Sequence, residues 1–378
     1  MTDIHGFAKP GFEKVRDTFA ANFDSGADLG ASYCVTHNGE TVVDLWGGYA
    51  DAGKTKPWVK DTIVNVYSTT KTMTALTALM LADRGLIDFK APVAKYWPQF
   101  AANGKANITV AQLMSHSAGL SGWKETISKA DFYDWEKATS LLAAQAPFWE
   151  PGTAPGYHGL TQGYLVGEVI RRVAGKSVGT VFREEIAEPL HADFWIGLPA
   201  SEDARVAELI APPAGEAVGE MTMQSEIQKN MATNPGLEIA ETKTRAWRGA
   251  EIPAAGGTGN ARAVAEIHAI LANDGVAQGK RFLSREGVRR ALEPQIEGLD
   301  LVMNVPVRFG LGFGLPGAMV PLPNPNTIFW GGYGGSLAVI DMDARLSFSY
   351  VMNKMRGTLT GDERGFGLAL ATWEALPK

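Results

Sequence analysis

Hydrophobic positions recur with two different periods along the chain, and each change of period predicts a change between helix and strand. Over residues 11–26 the apolar positions repeat every three or four residues, as they do on one face of a helix. They then alternate with polar positions on both sides of Asn38-Gly39, which is the strongest short signal for a β-hairpin. The hairpin strands are predicted at Ala31–Thr36 and Thr41–Trp46.

The segments after this hairpin predict a further strand followed closely by a buried helix. A third β run, Ile63–Tyr67, ends directly before Ser68. From Thr70 to Asp83 the sequence is densely apolar, and its length suits a helix that is buried nearly all round.

Helical patterns dominate from about residue 90 to residue 200, and strand patterns return near the C-terminus. The middle helices are predicted at Val110–Ser115, Trp135–Gln145, Leu160–Val173 and Val178–Ala187. The later elements are predicted to be helix Ala261–Asn273, strands Thr327–Phe329, Ser336–Met342 and Leu346–Asn353, and helix Phe366–Leu376. Residues 205–255 are irregular and rich in Pro, Gly and Met, so we expect long loops there. Three residues of these loops are expected to shape a pocket: Met221, Met223 and Trp247.

The order of the elements favours an α+β fold, with strands at both ends of the chain and a mainly helical insertion between them. Residues 1–88 and 255–378 are therefore predicted to form one discontinuous sheet domain in which the two ends meet. Residues 89–254 are predicted to form the helical insertion and the loops of a cleft.

Composition and charge exclude some functions. The 378 residues are 45% hydrophobic and 20% charged, which is an ordinary globular profile. The formal net charge is −6, and no basic stripe offsets it. Such a surface repels phosphate backbones, so nucleic acid is not expected as a partner.

Cysteine usage and hydropathy favour a cytoplasmic protein. Cys34 is the only cysteine, so no intrachain disulfide can form, and its apolar strand pattern is typical of a small buried hydrophobe. Residues 1–12 contain no apolar core of signal-peptide length. No stretch approaches the roughly 18 apolar residues of a membrane span, so no membrane is expected as a partner either.

Ser68 and Lys71 are the first candidates for chemistry, because positions three apart share one face of a helix. A serine hydroxyl is a weak nucleophile until a base takes its proton, and a lysine is a usable base only when its pKa is lowered. The apolar helix after Ser68 predicts the necessary burial, and its N-terminus favours a developing oxyanion. In the alternative interpretation Ser68 only caps the helix and Lys71 reaches solvent.

The same spacing occurs a second time, at Ser121 and Lys124. This copy lies in a glycine-flanked loop, with no strand before it and no apolar helix after it. The spacing alone is a weak signal in a chain of this length, so only context can separate the two copies.

A Ser–Lys pair also needs a proton relay, for which Tyr157 is the candidate. Tyr157 follows the Pro- and Gly-rich residues 150–156 and precedes a predicted helix, so it is expected in a rigid loop. A phenol near an ammonium group can share or lose its proton. The alternative is a packed aromatic residue at the start of a helix.

An oxyanion hole is the remaining requirement, and a glycine-rich strand segment is the candidate for it. The segment is Trp330-Gly331-Gly332-Tyr333. Glycines weaken a strand but are tolerated where a ligand or another backbone approaches closely, and such a strand can present N–H groups to a carbonyl. A glycine-rich hairpin or bulge is the alternative.

Together these segments resemble the serine β-lactamase-like superfamily, and the resemblance covers about residues 30–355. The matching motifs are Ser68-Thr69-Thr70-Lys71, Leu113-Met114-Ser115-His116-Ser117-Ala118-Gly119-Leu120, Pro151-Gly152 leading to Tyr157, and Trp330-Gly331-Gly332. Within the superfamily the chain is similar to the class C β-lactamase branch and especially to the family VIII carboxylesterases.

The resemblance implies an antiparallel sheet flanked by helices, a mainly helical second domain, and an active site in the cleft between them. It implies that Ser68 is the acylated nucleophile and that Lys71 and Tyr157 are the general base/acid pair. It further implies an oxyanion hole made by the backbone N–H groups of Ser68 and Tyr333, with Trp330, Gly331 and Gly332 at the substrate. His116 would be a structural loop residue.

Two departures from the superfamily pattern change the predicted substrate. Lactamases and related peptidases typically carry Tyr-x-Asn, whereas Tyr157-His158-Gly159 lacks the amide; we expect His158 to be a loop residue. They also carry Lys-Thr-Gly or His-Thr-Gly where this chain has Trp330-Gly331-Gly332. A lysine there would pair with a carboxylate, but Trp330 offers an apolar wall that suits an uncharged small-molecule ester.

Other enzyme classes lack their motifs in this chain. There is no G-x-S-x-G pentapeptide, no P-loop, and no paired metal-ligand spacing among the six histidines. Acyl transfer without a metal or other cofactor is therefore predicted. A β-lactamase, a D-amino-acid peptidase or a small-amide hydrolase on the same scaffold is the alternative, followed by a non-catalytic binding protein. The sequence leaves the oligomeric state and the acyl-chain preference open.

Overall fold

The computed structural model describes residues 2–213, 223–317 and 320–376. Its strands are β1 Ile4–Ala8, β2 Gly30–His37, β3 Glu40–Gly48, β4 Val64–Asn65, β5 Phe194–Trp195, β6 Thr258–Gly259, β7 Val276–Ala277, β8 Lys280–Arg281, β9 Ile296–Leu299, β10 Pro306–Phe309, β11 Thr327–Gly331, β12 Leu337–Asp341 and β13 Leu346–Met352. Its α-helices are α1 Glu13–Asp24, α2 Thr70–Asp83, α3 Val110–Met114, α4 Lys129–Tyr133, α5 Trp135–Ala144, α6 Thr161–Ala174, α7 Val178–Phe182, α8 Glu226–Thr233, α9 Arg245–Gly249, α10 Ala261–Ala272, α11 Arg285–Arg289 and α12 Glu363–Glu374.

The main sheet has six strands in the order β1-β3-β2-β13-β12-β11, and every neighbouring pair is antiparallel. The predicted hairpin at Asn38-Gly39 is confirmed as the turn between β2 and β3. β2 pairs with β13 from Ala31↔Met352 to His37↔Leu346, so the two ends of the chain meet in one sheet. The expected antiparallel sheet with flanking helices is confirmed.

Both faces of the central strands are covered by helices. Successive residues of a strand point to opposite faces. On one face the Tyr33 hydroxyl contacts the Thr372 hydroxyl of α12 at 2.6 Å, and on the other the Ser32 hydroxyl accepts from the Ala261 amide of α10 at 3.3 Å. Strands covered in this way lose the alternation of apolar and polar residues, and every residue of β12 and β13 is buried.

Helix α2 begins two residues after Ser68 and forms the centre of the molecule. Every residue of this helix is buried except Asp83, as its dense apolar sequence predicts. It packs against α6, α7 and α11. A small sheet with the order β4-β6-β5 lies before it and connects the strand preceding Ser68 to the backbone after Ala254. The domain boundaries near residues 88 and 255 stay a prediction.

Some elements differ from the sequence prediction. β1 and the hairpin of β9 and β10 were not predicted, because they are partly exposed and lack a strict apolar alternation. The loop prediction for residues 205–255 is wrong at α8 and α9; the capping box of Ser225 and Gln228 is the helix signal at the start of α8. The strand predicted over Ile63–Tyr67 is limited to β4, because a 3₁₀ turn follows it.

Candidate active site

Ser68 lies in a 3₁₀ turn, Tyr67–Thr69, between β4 and α2. Tyr67 has a φ angle of +43°, an uncommon conformation for a residue other than glycine. The turn is held from both sides: the Tyr67 amide donates to Asn65 Oδ1 at 3.2 Å, and the Thr70 hydroxyl donates to the Tyr67 carbonyl at 2.5 Å. This strained turn sets the position of the Ser68 side chain.

The side chains of Ser68, Lys71 and Tyr157 meet in a closed triangle. Ser68 Oγ lies 2.5 Å from Tyr157 Oη, and Lys71 Nζ lies 3.0 Å from Ser68 Oγ and 3.1 Å from Tyr157 Oη. Lys71 Nζ also donates to two carbonyl oxygens, of Gly159 at 2.7 Å and of Ala254 at 3.0 Å. The structure therefore brings together the three side chains that the sequence singled out.

Burial sets the protonation of this triangle. Lys71 is 1% exposed, and burial holds the pKa of its amine well below the usual range. Burial raises the pKa of the Tyr157 phenol; the charge of Asp300 also raises it, while hydrogen bonds with Ser68 and Trp330 oppose the shift. Burial therefore favours the neutral forms of both groups, and a neutral amine can accept the Ser68 proton.

The second Ser–Lys spacing does not form a pair. Ser121 Oγ is buried and has no hydrogen-bond partner among the described residues. Lys124 is exposed, and its Nζ donates to the Pro147 carbonyl at 3.1 Å. The context that distinguished Ser68 in the sequence corresponds to a real difference in geometry.

The glycine segment after β11 lies against the turn of Ser68. A methyl group at Gly332 would lie 2.2 Å from the Val66 carbonyl oxygen and 3.2 Å from the Ser68 amide nitrogen, so only glycine fits. Ser336 ties the two backbones together, since its hydroxyl donates to the Val66 carbonyl at 2.8 Å. The glycines are needed for this close approach.

The amides of Ser68 and Tyr333 remain available to a ligand. Within the described ranges, neither N–H group donates a hydrogen bond to the protein. The Tyr333 ring packs edge-on against Tyr67 with 5.5 Å between centroids. Two unpaired N–H groups on adjoining backbones can stabilise an oxyanion.

Trp330 forms the wall beside the triangle. It is 6% exposed, stacks on His116 with 5.3 Å between ring centroids, and lies 6.1 Å from the Tyr157 ring. Val302, Met303 and Phe309 belong to the same buried apolar cluster. The side of the site next to Trp330 is apolar and aromatic.

His116 and His158 are buried and hold neighbouring loops together. His116 Nδ1 accepts from the His158 amide at 3.0 Å, and His158 Nε2 accepts from the Leu120 amide at 3.0 Å. Burial lowers the pKa of His116 well below the usual range and that of His158 to about 4. Both rings are therefore neutral at pH 7, and their hydrogen bonds are structural.

Asp300 is a residue of the site that the sequence analysis missed. Its Oδ1 accepts from the backbone amides of Tyr157 at 3.1 Å, Val302 at 2.9 Å and Met303 at 2.8 Å. The carboxyl group is fully buried at the tip of the hairpin formed by β9 and β10. It fixes the loop of Tyr157 from a position 143 residues away, and no local motif announces such a contact.

The three residues expected to shape a pocket are separated in the structure. Trp247 is buried, with 6.0 Å between its ring centroid and that of Tyr67, so it supports the turn of Ser68. Met223 is exposed. Met221 lies outside the described residues.

The remaining features of the described chain add no other chemistry. In residues 2–213, 223–317 and 320–376 no group of three His, Cys, Asp or Glu side chains could hold a metal ion. None of the helices over these same ranges is long and apolar enough to cross a membrane.

The fold and the Ser–Lys–Tyr triangle define a serine hydrolase of the β-lactamase/transpeptidase type. The family model described as "Beta-lactamase" matches residues 15–372, and the chain belongs to this family. The predicted superfamily resemblance is thereby confirmed.

Two of three similar proteins carry esterase names, and the third is a penicillin-binding protein homolog. The esterase/beta-lactamase LipL of Mycobacterium tuberculosis (strain ATCC 25618 / H37Rv) is 39% identical over 375 residues, which cover 96% of this chain and 86% of that protein. The crystal structure of a family VIII carboxylesterase matches with a TM-score of 0.94 and 46% identity, covering 99% of this chain and 100% of the other. A penicillin-binding protein homolog from Caulobacter crescentus matches with a TM-score of 0.93 and 38% identity, covering 99% and 100%.

Proposed function

We propose that the protein hydrolyses uncharged small-molecule carboxylic esters through an acyl-enzyme on Ser68. The observation that carries the proposal is the buried triangle, in which Lys71 Nζ lies 3.0 Å from Ser68 Oγ and both lie near Tyr157 Oη. The class, a carboxylesterase-type hydrolase, follows from the similarity to the family VIII carboxylesterase and to LipL.

In the proposed acylation, the neutral Lys71 amine accepts the Ser68 proton while Ser68 Oγ forms a bond to the ester carbonyl carbon. The negative charge that develops on the carbonyl oxygen is stabilised by the N–H groups of Ser68 and Tyr333. The bond to the alcohol oxygen then breaks. The alcohol leaves with a proton from the Tyr157 hydroxyl, which is replaced by one from the Lys71 ammonium.

In the proposed deacylation, water takes the place of the alcohol. The Lys71–Tyr157 pair accepts a proton from water as its oxygen bonds to the acyl carbon. The bond to Ser68 Oγ then breaks, Ser68 regains its proton, and the carboxylic acid leaves. The same two residues therefore serve both half-reactions as base and acid.

Two features support an ester rather than a β-lactam or a peptide. Trp330 occupies the position where a lysine would bind a substrate carboxylate, and its surroundings are apolar. Gly159 stands where an asparagine amide is typical, and its backbone carbonyl accepts a hydrogen bond from Lys71 at 2.7 Å. A methyl group at Gly159 would lie 3.0 Å from the Met231 sulfur, so a longer side chain would require Met231 to move.

Parallel assays with p-nitrophenyl butyrate and the cephalosporin nitrocefin test the proposal. We expect a higher kcat/KM for the ester, and loss of ester hydrolysis in Ser68→Ala. Faster turnover of nitrocefin than of the ester would make a β-lactamase the better assignment, in keeping with the double name of LipL. A wild-type protein that hydrolyses neither substrate and that no fluorophosphonate labels would favour the non-catalytic alternative.

A small-molecule ester is accordingly the proposed partner. The cytoplasmic location stays a prediction from the sequence.

A further inference from the structure

The turn that follows β11 carries the Tyr333 amide, and two consecutive glycines follow Tyr333 in this turn. Gly334 and Gly335 have φ angles of +99° and +122°, which L side chains rarely adopt. Glycine also loses more conformational freedom on ordering than any other residue. Before Tyr333 the backbone is held, because the Gly332 amide donates to the Ser336 carbonyl at 2.8 Å. After Tyr333 the Gly335 amide closes the turn by donating to the Gly332 carbonyl at 3.1 Å, and further support comes from outside the turn.

Arg364, at the start of α12, provides part of this support. Its Nη2 donates to the Gly334 carbonyl oxygen at 3.0 Å. The Arg356 amide donates to the same oxygen at 3.0 Å, and the Gly334 amide donates to the Thr358 carbonyl at 3.0 Å. The Arg364 side chain is 0% exposed, so no water competes for its contact with Gly334. Arg364 is the only side chain in these contacts; the others are made by backbone.

Two buried carboxylates fix the orientation of the Arg364 guanidinium. Asp362 binds it in a bidentate manner, with Nε 2.9 Å from Oδ1 and Nη2 2.6 Å from Oδ2. Asp28 Oδ1 lies 3.0 Å from Nη1 and also accepts from the Tyr350 hydroxyl at 2.5 Å. The planar fork of an arginine can serve all these acceptors at once, whereas the single ammonium of a lysine cannot.

Stability alone does not account for this charged cluster. Burying one cation and two carboxylates carries a large desolvation cost, and apolar residues of similar volume often stabilise a core at least as well. Apolar residues cannot donate to the Gly334 carbonyl. The cluster also touches the turn directly, since a methyl group at Gly335 would lie 2.2 Å from Asp362 Oδ2.

We propose that Arg364 is a positioning residue for the oxyanion hole: by holding the Gly334 carbonyl it aims the Tyr333 N–H at the developing oxyanion. This inference rests on the proposed function, because it requires acyl transfer at Ser68. An oxyanion donor acts mainly in the transition state, so a shift of the Tyr333 N–H lowers kcat and leaves KM nearly unchanged.

The test compares Arg364→Lys with Tyr350→Phe. Arg364→Lys keeps a cation between the carboxylates but removes the fork that reaches Gly334. Tyr350→Phe keeps the ring beside the guanidinium and removes only the hydrogen bond to Asp28, on the side away from the turn. Each variant is measured for kcat and KM with p-nitrophenyl butyrate, for Tm, and for affinity toward phenylboronic acid, which forms a tetrahedral adduct with an active serine.

We expect kcat of Arg364→Lys to fall by about 10- to 100-fold, the effect of a small misplacement of catalytic groups. Phenylboronic acid affinity should fall by a similar factor, with KM within about threefold. Tyr350→Phe should keep its kcat within about twofold even where its Tm falls. Asp362→Asn can still cap α12, and it should show a smaller fall in kcat and in phenylboronic acid affinity than Arg364→Lys. If Arg364→Lys does not fold, Asp362→Asn is the variant that tests the proposal.

The proposal is overturned if the folded Arg364 or Asp362 variant keeps its kcat, or loses no more than Tyr350→Phe at equal Tm. It is also overturned if the loss is in KM alone. Failure of the proposed function is visible separately, because it would appear in the wild type as a missing fluorophosphonate adduct on Ser68.

Discussion

Two segments of the chain place a lysine three residues after a serine, and only one of them brings the two side chains together. Lys71 Nζ lies 3.0 Å from Ser68 Oγ, whereas Lys124 Nζ donates to the Pro147 carbonyl. Ser68 lies in the 3₁₀ turn that leads directly into α2, on which Lys71 lies, but Ser121 and Lys124 lie outside any helix. In this chain the spacing joins the two side chains only where the backbone winds continuously from the serine to the lysine.

The two lysines also differ in their surroundings. The Lys71 amine is buried between α2 and the loops of Gly159 and Ala254, and burial lowers its pKa. Lys124 is exposed and lies over the Phe148 ring at 5.2 Å. A buried amine that can act as a base is therefore available beside Ser68, and in the described part of the chain none is available beside Ser121.

The largest effect is expected from removing the nucleophile. Ser68→Ala should lower kcat for p-nitrophenyl butyrate by on the order of 10⁴-fold or more, because it removes the hydroxyl that is proposed to form the acyl-enzyme. Ser121→Ala is the matched control and should keep kcat within about twofold. Substantial ester hydrolysis by Ser68→Ala would break the comparison.

The next largest effect is expected from substituting the proposed base, Lys71, or the proposed proton relay, Tyr157. Lys71→Ala and Tyr157→Phe should each slow acylation by about 100-fold or more, the usual range for loss of general acid–base catalysis. Stopped-flow measurement of the p-nitrophenol burst reports this step. Lys124→Ala should leave the burst rate unchanged. A burst rate close to that of the wild type in Lys71→Ala or Tyr157→Phe would show that the substituted residue does not take part in acylation.

The pH dependence should show the lowered pKa of Lys71. Because the amine must be neutral to accept a proton, kcat/KM should fall by about tenfold per pH unit as the pH drops below that pKa. The fall of kcat/KM on the acid side should therefore occur at a pH well below the ordinary pKa of a lysine. A profile that rises up to pH 10 would mean that the pKa of the Lys71 amine is not lowered. Lys124→Ala should not change the pH at which kcat/KM falls.

A smaller effect on activity is expected from substitutions of Asp300, which is buried and accepts hydrogen bonds from the amides of Tyr157, Val302 and Met303. Asp300→Ala leaves those amides without an acceptor and should lower the free energy of unfolding by about 2–4 kcal/mol. Asp300→Asn keeps an acceptor oxygen and should lose about 1 kcal/mol, with kcat within a few-fold of wild type. Urea denaturation measures both. Equal stability of the two variants would contradict the role of the Oδ1 contacts.

Most of the fold was readable in the sequence, because it depends on apolar patterns. The hairpin at Asn38-Gly39, the buried helix α2 and strands β12 and β13 follow directly from such patterns. β1 lies at an edge of the main sheet and is largely exposed, so its sequence has no apolar alternation to detect. Elements that bury little area give weak signals.

The site was readable only in part. Ser68, Lys71 and Tyr157 stand in motifs, and the structure brings them within hydrogen-bonding distance. Asp300 and Arg364 were missed, because each acts on a distant segment through backbone groups, and backbone contacts impose no local pattern on the sequence. The burial of an ionisable side chain indicates such a role, and this burial is visible only in the structure.

The most direct test of the central claim is the identity of the serine that carries the adduct after reaction with a fluorophosphonate. The labelled protein is digested and the modified peptide is sequenced by mass spectrometry, with Lys71→Ala labelled in parallel. We predict one adduct, on Ser68, formed much more slowly in Lys71→Ala. An adduct on Ser121 or on another serine, with Ser68 unmodified, would contradict the account.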